Sequence, residues 1–128
     1  MDALRVSASV DHRGDGTITV RVAAANHGPR PLRFSMSRDC PVRLKMYRVE
    51  SAAGEPAWDE TRQSACSFVA LAVSLAPGET REFRKVIRPG DLLRVGVPAG
   101  SYRVVAVVPI DLSVRLVDAG LLELGSSG

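Results

Sequence analysis

The stretch LRVSASVDHRGDGTITVRVAA, residues 4–24, decides the fold class. Leu4, Val6, Ala8 and Val10 alternate with Arg5, Ser7 and Ser9. That is the two-residue period of a strand with one face in a core. Gly14-Asp15-Gly16 follows, and these residues accept positive φ, so a hairpin turn fits there. Ile18, Val20, Val22 and Ala24 then resume the alternation, with Thr19, Arg21 and Ala23 on the other face. Two alternating runs joined by such a turn predict an antiparallel hairpin.

The same grammar runs through the rest of the chain. Asn26-His27-Gly28-Pro29 is a turn by composition. Leu32, Phe34 and Met36 form a third apolar row, and Val42, Leu44 and Met46 a fourth. Arg33, Arg43 and Lys45 interrupt these rows and are expected to face water, as are Arg21 and Arg103. Residues 50–65 break the pattern with Gly54, Pro56 and several charges, and read as one long irregular connection. A strand is expected again over residues 67–75, then a turn at Ala76-Pro77-Gly78-Glu79, then a strand over 80–88. Pro89-Gly90 and Pro98-Ala99-Gly100 bracket a stretch in which residues 91–95 suit one helical turn. Residues 101–109 are apolar on both faces, the mark of a central strand. Residues 114–124 close the domain, and 125–128 read as a flexible tail.

About eight short strands punctuated by turns predict an all-β, immunoglobulin-like two-sheet antiparallel sandwich, a single domain over residues 1–124. The expected core includes Leu4, Val6, Val20, Val22, Phe34, Leu44, Tyr102 and Val104. Aromatic residues make up only 5% of the 128, so aliphatic side chains must fill that core. No run of eighteen apolar residues occurs, so no membrane span is expected. The first residues enter a strand pattern directly, without the profile of a signal peptide. The net charge of +3 comes from scattered arginines with acids among them. Nucleic-acid binders add clustered charge and exposed aromatics, so no nucleic-acid partner is expected.

Several pieces, in order and spacing, resemble the BsuPI-like family of bacterial intracellular proteinase inhibitors. They are Asn26 with Pro31-Leu32-Arg33-Phe34, Tyr47 with Gly54-Glu55-Pro56-Ala57-Trp58, Leu75-Ala76-Pro77-Gly78-Glu79, and Pro98-Ala99-Gly100-Ser101-Tyr102-Arg103-Val104. The resemblance spans roughly residues 17–108. It departs from the family in the strand after the Pro-Gly-Glu turn, where a Trp is common and this chain carries Phe83. It implies inhibition of serine proteases, and separately a monomer is expected. No inhibitory residue carries over, because no reactive-site loop matches a position here.

No catalytic residue, cofactor or metal is expected. His12 and His27 sit in turns, and Cys40 with Met36 and Met46 lacks the spacing of a copper site. There is no paired Cys-x-x-Cys or His-x-x-x-His for zinc, and the glycines form no phosphate loop. Cys40 and Cys66 are expected to form a disulfide across the irregular stretch, with two buried free thiols as the alternative. The disulfide would place the chain in the periplasm or at the cell surface, and free thiols would suit the cytoplasm. Trp58 is either an exposed anchor or a cover for one end of the core. With Glu55, Asp59, Glu60 and Arg62 around it, the stretch has the composition of a protein-binding anchor and rim. The expected function is a non-catalytic protein-binding module, with a serine protease as the specific partner. A structural or adhesive immunoglobulin-like domain of the bacterial envelope is the alternative.

Overall fold

The fold comes from a computed structural model and is described for residues 3–50, 54–62, 66 and 69–125. Among the described residues, nine strands make up almost all of the regular structure: β1 (Leu4–His12), β2 (Ile18–Asn26), β3 (Leu32–Ser37), β4 (Arg43–Arg48), β5 (Trp58–Asp59), β6 (Ala70–Leu75), β7 (Thr80–Ile87), β8 (Gly100–Ile110) and β9 (Ser113–Leu124). A 3-10 turn, Glu60–Arg62, follows β5, and one short helix, α1 (Pro89–Arg94), links β7 to β8.

All pairings are antiparallel. One sheet has the order β1-β2-β7, and the facing sheet has the order β5-β4-β8-β9. β3 and β6 form a separate two-stranded ladder. The first and second sheets reproduce the A-B-E and C-F-G sets of the immunoglobulin fold, with β5 beside β4 in the C′ position. A tyrosine corner accompanies this order: the hydroxyl of Tyr102, fully buried at the start of β8, donates to the carbonyl of Pro98 four residues back, at 2.6 Å. The chain is therefore an immunoglobulin-like antiparallel sandwich.

The opening hairpin pairs Leu4 with Asn26 through His12 with Ile18, without a break. Gly16 takes φ 90° in its turn, and the Asp15 carboxylate accepts from the Thr17 N–H at 2.9 Å. Alternation sends Ile18, Val20, Val22 and Ala24 inward, where they meet Leu44, Met46, Val73, Leu75, Val104 and Val108. β8 lies between β4 and β9, which explains why residues 104–108 are almost wholly buried or half-buried on both faces. A bulge opposite Val104 and Val105 places Ala119 as the extra residue of β9 and bends that edge.

Seven of the eight expected core residues are buried, and Val6 is half-buried because β1 is an edge strand. Arg21, Arg33 and Arg103 face water. Arg43 and Lys45 do not: both are half-buried, and the Lys45 ammonium lies 3.8 Å from the Asp59 carboxylate. Residues 50–65 are not wholly irregular either. Trp58 pairs with Met46 and Asp59 with Lys45, so β5 extends the second sheet. Alternation could not reveal a strand only two residues long. β6 begins at Ala70, and residues 67 and 68 of the strand expected there lie outside the described residues, as do 126–128 of the tail. The helical turn expected over 91–95 is α1, which starts two residues earlier.

Candidate functional site

The disulfide forms. Cys40 and Cys66 are joined with their Cα atoms 5.9 Å apart. The bridge ties the segment before β4 to the segment before β6, and β5 with its 3-10 turn lies inside the loop that it closes.

Within that loop the five residues singled out from the sequence have different tasks. Trp58 is half-buried and packs against the core. Asp59 and Glu60, expected on a rim, are buried instead. One Glu60 oxygen accepts from the buried N–H of Leu44 at 2.9 Å, and the other makes a close ion pair with Lys85 of β7. Glu60 thus ties the edge of one sheet to the edge of the other. Asp59 accepts from the hydroxyl and the N–H of Thr61, at 2.6 and 3.0 Å. Burial pushes the Asp59 carboxyl upward in pKa, but the two Thr61 hydrogen bonds, with Lys45 and Arg62 nearby, outweigh it and hold the group below the ordinary aspartate value. Arg62 lies 3.5 Å from Asp59 and 3.8 Å from Glu55. Only Glu55 and Arg62 of the expected rim are well exposed, at 83% and 68% of their side-chain surface.

The inward turn of Glu60 builds a groove that the sequence did not reveal. A hollow of about 290 Å³ opens between β5 and β7 at the side where neither strand has a further neighbour among the described strands. Trp58, Glu60, Lys85, Val86 and Ile87 line it, together with Asp91, Arg94 and Val95 from α1 and the turn after it. Val86 and Val95 are 53% and 41% exposed, so apolar surface stands open beside charged side chains. The signal that could have found the groove is the exposed Val86 in a strand of charges, but nothing local links it to Trp58. His12 and His27 are exposed, and no cluster of three metal-ligating side chains occurs among the described residues. No helix of the described residues is long and apolar enough to cross a membrane.

No family model matches the chain, and no curated protein matches it. Among solved structures, a β-glucosidase from Kluyveromyces marxianus aligns with 96% of this chain at 18% identity and a TM-score of 0.49. A β-glucosidase from Erythrobacter marinus aligns with 91% at 16% identity and a TM-score of 0.45. The chain spans only 14% and 15% of the length of these two enzymes. The CARDB domain of a Pyrococcus furiosus protein, solved in complex with two metal ions, aligns over 94% of both chains at 15% identity and a TM-score of 0.42. Likenesses this distant carry nothing about the chemistry of this chain, whose fold assignment stands on its own strand order and tyrosine corner.

Proposed function

We propose that this domain is a non-catalytic protein-binding module whose site is the groove between β5 and β7. The observation that supports this reading is the groove's make-up. Half-buried Trp58 lies beside exposed Val86 and Val95, and Glu60, Lys85, Asp91 and Arg94 surround them. Apolar anchors within a charged border are the composition of protein interfaces. The disulfide closes the loop that carries Trp58, which lowers the conformational entropy lost on binding. Inhibition of a serine protease, the activity implied by the BsuPI-like resemblance, is the specific form proposed.

The test uses Val86→Asp and Val95→Asp, each at an exposed position, with the melting temperature as a check on folding. Partner capture from the native organism's extract and inhibition across a serine-protease panel are measured for wild type and both variants. Loss of a captured partner or of an inhibitory activity in the variants supports the groove as the site. Retention of every one excludes it. A second reading, an immunoglobulin-like structural or adhesive domain of the cell envelope, is favoured by the disulfide, which is compatible with an oxidising compartment. It gains if the wild type captures nothing and inhibits nothing.

A further inference from the structure

β7 ends its sheet: β2 pairs with it on one side, and no described strand pairs with it on the other. Eight residues of extended backbone, Thr80–Ile87, thus present a row of N–H and C=O groups outward. Proteins block such edges with charge, and β7 has charge to spare. Arg81, Arg84, Lys85 and the following Arg88 stand against one acid, Glu82. Arg84 is paired with Glu82 at 2.9 Å and Lys85 with Glu60. Arg81, Arg88 and the groove residue Arg94 have no carboxylate partner among the described residues. The edge therefore repels a like-charged strand, including the β7 of a second copy, but attracts an acidic one.

The inner row of β7 adds a second feature. Arg81, Phe83, Lys85 and Ile87 pair with the inward-facing Ala24, Val22, Val20 and Ile18 of β2. Phe83 is only half-buried and Ile87 is buried, so the interior is left partly uncovered along this edge. The groove with Trp58 opens at the same end of the strand, beside Lys85, Val86 and Ile87.

We propose that β7 accepts an acidic, extended peptide segment of a partner protein by strand addition along Thr80–Arg84, with one apolar side chain of that segment seated in the groove beside Trp58. Main-chain hydrogen bonds supply affinity in this mode, and the groove and the charges supply selectivity. The inference rests on the protein-binding reading above and names the partner's chemistry.

The probe is an acetylated, amidated hexapeptide alternating Glu and Val, set against its Lys and Val counterpart. Binding is followed on the full chain by amide chemical shifts and hydrogen exchange. The acidic peptide should bind at least tenfold more tightly than the basic one, with slowed exchange centred on Thr80–Arg84. N-methylation of alternate peptide residues on the edge that meets β7 should abolish binding, because it removes the donors of the new ladder. The double variant Arg81→Glu with Arg84→Glu, with its melting temperature checked, should reverse the charge preference. Equal binding of the two peptides overturns the inference. So does protection elsewhere than β7, binding insensitive to N-methylation, or no binding at millimolar peptide. If the peptides fail while Val86→Asp still costs the chain a captured protein partner, strand addition is wrong and the groove remains a protein site.

Discussion

At the scale of single residues, the side chains that matter most are polar ones turned inward. Asn26 is fully buried at the end of β2. Its amide donates to the carbonyls of Arg30 and Leu75 at 2.7 and 3.1 Å, and its oxygen accepts from the Gly28 N–H at 2.9 Å. Its own backbone N–H and C=O are bonded to Glu79 and Gly78 of the turn before β7. Asn26→Ala should cost about 2–4 kcal/mol, because it orphans a buried carbonyl as well as losing three hydrogen bonds. Chemical denaturation checks this, with exposed His27→Ala as a near-neutral control. Glu60→Ala should likewise cost about 2–4 kcal/mol, since it strands the Leu44 N–H and the Lys85 ammonium, whereas exposed Glu55→Ala should cost under about 0.5 kcal/mol. Asp59 gives a pH signature. Its carboxyl pKa is depressed in the folded state, so its contribution is present above the unfolded value of about 4 and is lost as pH falls through the lower, folded value. The melting-temperature difference between wild type and Asp59→Asn should therefore be widest near neutrality and shrink below about pH 4.

Elements differ in how much of themselves the sequence displays. β1 and β2 are legible because alternation persists for nine residues and the turn chemistry is local, and β8 because its run is apolar on both faces between turn residues. β5 is not legible, because two residues hold no period and the strand exists through its pairing with Met46 and Lys45. The rim expected around Trp58 shows the same limit. Composition correctly marked Glu55 and Arg62 as surface charges, but the burial of Asp59 and Glu60 is set by long-range partners, Lys45, the Leu44 N–H and Lys85. The disulfide was legible from the placement of its two cysteines around the longest irregular stretch. It binds β4, β5 and the 3-10 turn into one closed loop. On the chain-entropy model, a loop of this length is worth about 3.5 kcal/mol. Reducing the bridge, or replacing both cysteines by Ser, should lower the melting temperature by roughly 10 °C, with little change in the far-ultraviolet spectrum of the sheets. A melting temperature unchanged by reductant would show that the loop is held by Glu60 and the β4–β5 pairing alone.

At the scale of the whole molecule, the arrangement of charge matters more than its sum. The chain carries +3, and apart from the cations gathered along the β7 edge its exposed arginines are divided among faces. Arg21 lies on the outer face of the first sheet and is paired with Asp11 at 3.3 Å. Arg103 lies on the second sheet, 3.8 Å from Asp118, and Arg33 lies on the β3–β6 ladder. No single face concentrates these three, and exposed arginines at physiological salt are screened over about 8 Å. Reading a base sequence also needs an element that enters a groove of the duplex. The one α-helix among the described residues, α1, has six residues, with Leu92 buried, so it is not free to serve as such an element. The expected result is weak attraction to any nucleic acid, without discrimination. In fluorescence anisotropy, a duplex of fixed sequence and a random-sequence competitor should bind equally at low salt, and both should be lost at about 150 mM, where the few phosphate contacts no longer release enough counterions. A duplex preferred more than tenfold over the competitor at that salt would overturn this expectation, because phosphate attraction to the β7 cations carries no base discrimination.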